Sequence, residues 1–277
     1  MKISRDHEPA SIHSLPPELL HAIFGRLERY NRPTLCACVS TCKLWYEIAR
    51  PHLWSSVVFR RPRAQGVLRE FCLSHLDIMP LVKKLRLQGS SPIGLNVPRL
   101  ASTLRIFPAL HTLSLIAFDN RYTDPADICE LSRDPPIPLK KLSIISCSPG
   151  TTVISALLRL FSIDTLELYM RADRTTERSP TSAMPSSLRH SVDLRHLVVE
   201  CTSRFAMYFD NVFLPLLRPG TLQSFSGVLW SHLSLMCVHD FLRSAPARSL
   251  SRLSLQIYIN PYTMASAQFH LGIYHVP

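Results

Sequence analysis

The chain has 277 residues, 46% of them hydrophobic and 18% charged, and a formal net charge of +11. That composition allows a sizeable core and excludes a globally disordered chain. No apolar run approaches the roughly eighteen residues of a membrane-spanning helix, so no membrane segment is expected.

Residues 1–11 read as a polar tail without the apolar stretch of a signal peptide. The segment Leu15-Pro16-Pro17-Glu18-Leu19-Leu20-His21-Ala22-Ile23-Phe24-Gly25-Arg26-Leu27 predicts a first helix. Its prolines stand where a missing amide hydrogen costs nothing, and Glu18 adds negative charge near the positive helix end. Leu20, Phe24 and Leu27 share one face, with Leu19 and Ile23 beside them. Asn31-Arg32-Pro33 breaks this helix and opens a second, which carries Leu35, Cys38 and Val39. Lys43 to Ala49 predicts a third, short helix, ended before Pro51. Three helices in so few residues make a marginal core, of the kind that leans on a partner.

Leu15-Pro16-x-Glu18-Leu19-Leu20-x-x-Ile23-Phe24-x-x-Leu27, then Val39-Ser40-x-Cys42-Lys43-x-Trp45, then Leu53-Trp54, resemble an F-box over residues 12–54. The resemblance implies a three-helix module that docks onto a Skp-family adaptor. Through the adaptor it would reach a cullin-based ubiquitin ligase, leaving the rest of the chain to hold a protein substrate. By the same resemblance Leu15, Pro16, Glu18, Leu19, Leu20, Ile23 and Leu27 form much of the adaptor face. Val39 and Trp45 contribute there or hold the helices together.

From residue 55 to 277 the chain repeats itself. A pattern of the form Leu-x-x-Leu-x-Leu recurs at 82–87, 110–115, 139–144, 163–168, 194–199 and 250–255, with a degenerate member at 222–225. The central apolar residues are Leu85, Leu113, Leu142, Leu166, Leu197, Phe225 and Leu253, a period near twenty-eight. Counting back one period reaches Val57, in a credible first strand. This period and pattern predict an irregular leucine-rich-repeat solenoid, an α/β fold with parallel strands on the concave side and helices on the convex side. Helical spacing between strands appears in Val67, Leu68, Phe71, Cys72 and Leu76, in Val153, Leu157, Leu160 and Phe161, and in Phe205, Phe209, Val212 and Leu216. Only one repeat carries a Cys at the later consensus place, Cys147.

Two stretches break the rhythm. Residues 171–191 are polar and rich in Ser, Thr and Arg, which predicts a long loop. Tyr262 to Pro277 offers no polar segment to cap a last repeat.

The sequence carries no catalytic constellation, no phosphate-cradling glycine loop and no metal pattern. The eight cysteines stand at 36, 38, 42, 72, 129, 147, 201 and 237, without paired zinc spacing, and are expected to be buried free thiols. No enzyme activity and no cofactor are expected. Binding is easier to place, because residues between the strand leucines face away from the core. Among them Lys84, Arg86, Lys141, Glu167, His196 and Arg252 are the substrate-contact candidates. The charge leaves room for an acidic or nucleic-acid partner, but no run of like charges favours nucleic acid. The expectation is a substrate receptor of a Skp–cullin–F-box ligase in cytoplasm or nucleus. A Skp-bound scaffold without cullin and an anion-binding solenoid stand as alternatives.

Overall fold

The computed structural model describes residues 15–60, 64–89, 95–120, 135–145, 148–149, 151–169, 192–201, 214–229, 232–257 and 270–274. The N-terminal tail, the loop expected at 171–191, Cys129, Cys147 and the helical spacing expected at Phe205, Phe209 and Val212 lie outside them. The chain divides into two compact units, Met1–Val57 and Val58–Pro277.

The first unit is three helices: α1 (Pro17–Tyr30), α2 (Arg32–Val39) and α3 (Lys43–Trp54). Pro16 caps α1, with Pro17 in its first turn and Glu18 beside it. Asn31 ends α1 and caps α2, its side chain accepting from the Thr34 amide at 3.2 Å. Leu20, Phe24, Leu35, Ile48 and Ala49 form the core, with Leu15, Leu27, Cys38, Val39, Trp45 and Leu53 packed at its edge. The Phe24 ring meets Trp45 edge-on at 5.6 Å. Arg32 donates to the Ser56 and Leu53 carbonyls at 2.9 and 3.1 Å, placing a cation where the end of α3 carries negative charge.

The end of α3 differs from expectation. The helix runs on through Pro51 to Trp54. Proline removes one amide and crowds the carbonyl four residues back, here that of exposed Glu47 near the helix end, where water can serve the lost partner. A polar chain then fixes this last turn: Ser55 donates to Glu28 at 2.6 Å, Glu28 lies 3.6 Å from His52, and His52 is 3.1 Å from His21.

The second unit is organised on a nine-stranded sheet whose strands follow in chain order. They are β1 (Ser56–Arg60), β2 (Lys84–Gln88), β3 (Thr112–Ile116), β4 (Ile137–Ile145), β5 (Phe161–Tyr169), β6 (His196–Cys201), β7 (Ser224–Leu229), β8 (Arg252–Ile257) and β9 (His270–Tyr274). Pairing from β2 to β8 is parallel. The register aligns Leu85, Leu113, Leu142, Leu166, Leu197, Phe225 and Leu253 in one continuous row, the same residues that mark the sequence period. Leu87, Leu115, Ile144, Leu168, Val199, Gly227 and Leu255 form the next row on the same side. Side chains of both rows are almost fully enclosed as far as Phe225, and each leucine-sized burial contributes roughly 1.5–3 kcal/mol.

The connections carry α4 (Ala64–Ser74), α5 (Val97–Leu104), α6 (Thr151–Leu160) and α7 (His232–Arg243). The arrangement is a mixed α/β one, consistent with a solenoid-like fold. Leu68 and Cys72, one turn apart on α4, are buried, but Leu76 lies beyond the helix and is exposed. Its place in the expected apolar stripe fails because α4 ends at Ser74. Phe161, expected on a helix, begins β5, since α6 stops at Leu160. Helices α5 and α7 add to the expected set; α5 has a legible start, with Asn96 accepting from the Arg99 amide at 2.8 Å. The chain adds β9 antiparallel to β8, so an extra strand lines that edge within the stretch where no polar cap is legible.

Two glycines explain local irregularity. In β7 a Cβ on Gly227 would stand 3.0 Å from the Phe225 ring and 3.2 Å from Leu255. Glycine there admits the larger Phe225, whose ring packs 4.9 Å from Phe241 of α7. Just past β2, a Cβ on Gly89 would lie 2.8 Å from the Phe118 ring and 3.2 Å from the Ala117 carbonyl. Gly89→Ala is therefore expected to destabilise the second unit by about 1–3 kcal/mol, read as a lowered thermal midpoint.

Candidate docking surfaces

Two surfaces answer to the expected binding residues, one on each unit. On the first, the amphipathic rows of α1 separate cleanly. Leu20 and Phe24 are each 1% exposed, whereas Leu19 is 51% and Ile23 43% exposed. Pro16 and Glu18 are exposed at the helix start, and Leu15 and Leu27 are half-buried against the core. One helix face can enter a three-helix core, and the neighbouring row is left outside. Leu20 is a correction: expected on the partner face, it points into the core and offers almost no surface. Val39 and Trp45 are half-buried at the core edge, and the contact of Trp45 with Phe24 makes it a helix-joining residue. Sequence reasoning does not single out Leu44 and Tyr46 of α3, which are 43% and 44% exposed. Arg50 covers the Tyr46 ring at 6.0 Å. Their exposure has no separate signal, because the apolar spacing of α3 serves core and surface alike.

On the second unit, the face opposite the leucine rows carries three further rows. The first is Lys84, Thr112, Lys141, Thr165, His196, Ser224 and Arg252. The second is Arg86, Ser114, Ser143, Glu167, Val198, Ser226 and Ser254. All six substrate-contact candidates thus lie on one face, but they do not act alike. Lys84, Arg86 and Arg252 are exposed. Lys141 reaches across to Glu167 at 2.7 Å, and Glu167 also accepts from Ser143 at 2.8 Å. His196 is hydrogen-bonded to Ser224 at 2.7 Å. The middle of the face is therefore internally satisfied, and the expectation of Lys141 as a displayed positive charge is revised by its pairing with Glu167.

The third row is Gln88, Ile116, Ile145, Tyr169, Glu200, Val228 and Gln256. It lies one alternation beyond the Leu-x-x-Leu-x-Leu pattern, and continuing the period of two would have found it. Ile145, Tyr169 and Val228 are half-buried and give this margin an apolar character absent from the first two rows. Burial, then the neighbouring Glu167, pushes the Tyr169 phenol up from its ordinary value. At the opposite margin, burial and then Lys140, Lys84 and Lys83 hold His111 below the usual histidine range.

The thiols vary. Cys72 is buried, and burial pushes its thiol up to about 11, so it stays protonated and inert. Cys38 and Cys42 are half-buried, but Cys36 is exposed, against the expectation of burial. Among the described residues no group of three or more His, Cys, Asp or Glu is placed to hold a metal ion. Among them, too, no helix is long and apolar enough to cross a membrane.

Comparison with known proteins bears on the first surface. No curated protein matches the chain. A family model described as F-box-like matches residues 12–60, reaching past Trp54 to the end of β1. The exposed Leu19–Ile23 row therefore lies inside the segment that matches an F-box-like domain.

Proposed function

We propose that the chain is a substrate-recognition subunit of a Skp–cullin–F-box ubiquitin ligase. The F-box-like domain would bind a Skp-family adaptor, and the adaptor would bring the cullin. The second unit, read as a leucine-rich-repeat solenoid with strands concave and helices convex, would hold a protein substrate. The chain itself would be non-catalytic and work in cytoplasm or nucleus. The observation that carries this reading is the row of exposed apolar residues, Leu19 and Ile23 with Pro16 at its head, inside the matched segment. A few leucine-sized anchors of roughly 1.5–3 kcal/mol each are enough to nucleate an interface. The aligned register supports a repeat reading of the second unit, because identical positions of successive repeats fall in line.

Affinity purification of the tagged chain, with and without proteasome blockade, tests this function. Adaptor and cullin should both be recovered, and further proteins should accumulate under blockade. Recovery of adaptor without cullin would make the chain a Skp-bound scaffold instead. For substrate capture, Lys84→Glu with Arg86→Glu is expected to lower recovery of the accumulating proteins several-fold without loss of fold, since both side chains are exposed. Unchanged recovery would move the substrate site off these strands.

A further inference from the structure

Among the described residues of the second unit, several cations gather around β2 and the adjoining parts of β3 and β4. Lys83 and His111, each just ahead of its strand, and Lys140 of β4 form one row. The amides of His111 and Thr112 donate to the Lys83 carbonyl at 3.0 and 3.1 Å, and those of Lys140 and Lys141 donate to the His111 carbonyl at 2.9 and 3.0 Å. Lys84 follows Lys83 and stands in register with Thr112, and Arg86 lies two residues further along β2. Lys83, Lys84, Arg86 and Lys140 are all exposed. Among the described residues no carboxylate pairs with Lys83, Arg86 or Lys140. Further along, Lys141 pairs with Glu167 at 2.7 Å, Arg195 with Asp164 at 3.6 Å and Arg218 with Asp193 at 3.0 Å, while Arg252 of β8 stands exposed. Burial first, and then the nearby Lys140, Lys84 and Lys83, lower the proton affinity of His111, which places these three lysines around it.

The spacing of these cations selects the ligand. Adjacent strands lie about 4.8 Å apart, so Lys83 and Lys140, two strands apart, are separated by roughly 10 Å at the backbone. One compact anion does not span that distance, whereas an extended peptide advances about 3.3 Å per residue and can present several carboxylates along it. Three of the four cations are lysines, which act as point charges and lack the planar fork suited to a phosphate. No aromatic side chain stands among the described residues of β2 to β4, so a platform for stacking bases is missing there. Thr112 and Ser114 of β3 supply hydroxyls instead.

We propose that the margin formed by Lys83, Lys84, Arg86 and Lys140 anchors an extended, carboxylate-rich segment of a protein partner, lying across β2, β3 and β4. This rests on the reading of the second unit as the partner-holding one, and it names the chemistry of that partner. The pairs Lys141–Glu167 and Arg195–Asp164 interrupt the positive charge beyond β4, and Arg252 of β8 lies too far along the sheet to share the same short segment, so its register is set at the β2 end.

The test is fluorescence anisotropy of the full chain with a labelled glutamate-rich peptide, its glutamine counterpart, and a single-stranded oligonucleotide of equal charge. The glutamate peptide should bind, weaken as salt rises and lose at least about tenfold in affinity with Lys83→Glu and Lys140→Glu together. The milder Lys83→Gln with Lys140→Gln should lose less, and Arg218→Glu should change nothing. Circular dichroism of each variant controls for folding. Equal affinity in the lysine variants, equal binding of the glutamine peptide, or tighter lysine-dependent binding of the oligonucleotide would overturn the proposal. Adaptor recovery from the same preparation separates the two readings. Lost adaptor with retained peptide binding removes the ligase role alone, and the converse removes only the acidic-segment site.

Discussion

Replacing Phe24 by Ala is expected to unfold the first unit while leaving the second folded. Phe24 is 1% exposed, sits between Leu20 and Trp45 in the core, and meets Trp45 edge-on at 5.6 Å. Large-to-small changes of a buried phenylalanine cost about 3–5 kcal/mol, because the lost transfer energy is joined by an unfilled cavity. A unit of three short helices has little stability beyond that. Thermal melts should show the first transition displaced or absent and the second retained, and adaptor recovery should fall with it. A wild-type melting profile for Phe24→Ala would mean that the ring is not a core element.

Leu142→Ala should produce the largest loss in the second unit. Leu142 is fully buried and pairs in register with Leu113 on one side and Leu166 on the other, inside a continuous apolar row. The expected cost is about 2–5 kcal/mol. Stability in a stacked sheet passes between neighbours, so hydrogen-exchange protection should drop first in β3, β4 and β5 and less at β8. Loss spread evenly over the unit, or a cost below about 1 kcal/mol, would contradict a continuous row as the main source of its stability.

Much of the architecture is legible in the amino-acid sequence. The central apolar residues of the recurring sequence pattern are the residues that pair across the sheet, because a strand with a buried face advertises its register every second position. The start of α1 and the shared cap at Asn31 are equally visible, since proline and asparagine act locally. Other features depend on three-dimensional neighbours. Which row of α1 turns inward is decided by Ile48 and Trp45, far along the chain, so spacing alone does not tell Leu20 from Leu19. The Lys141–Glu167 pair crosses between strands one register step apart and converts an expected binding charge into an internal one. Pro51 stays helical because the chain beyond it is held by Arg32 and Ser55, which local propensity does not contain.

The adaptor-docking role proposed for the first unit is tested most directly by a single recovery measurement. The tagged chain and its Leu19→Asp, Ile23→Asp variant would be purified from cells alongside a Skp-family adaptor, with circular dichroism of both proteins. Both substituted residues lie outside the core, at 51% and 43% exposure, so the fold should persist. The expected result is adaptor bound to the wild-type chain and more than about tenfold less on the variant, at unchanged helical signal. Equal adaptor on both proteins, or none on the wild type, would contradict that role.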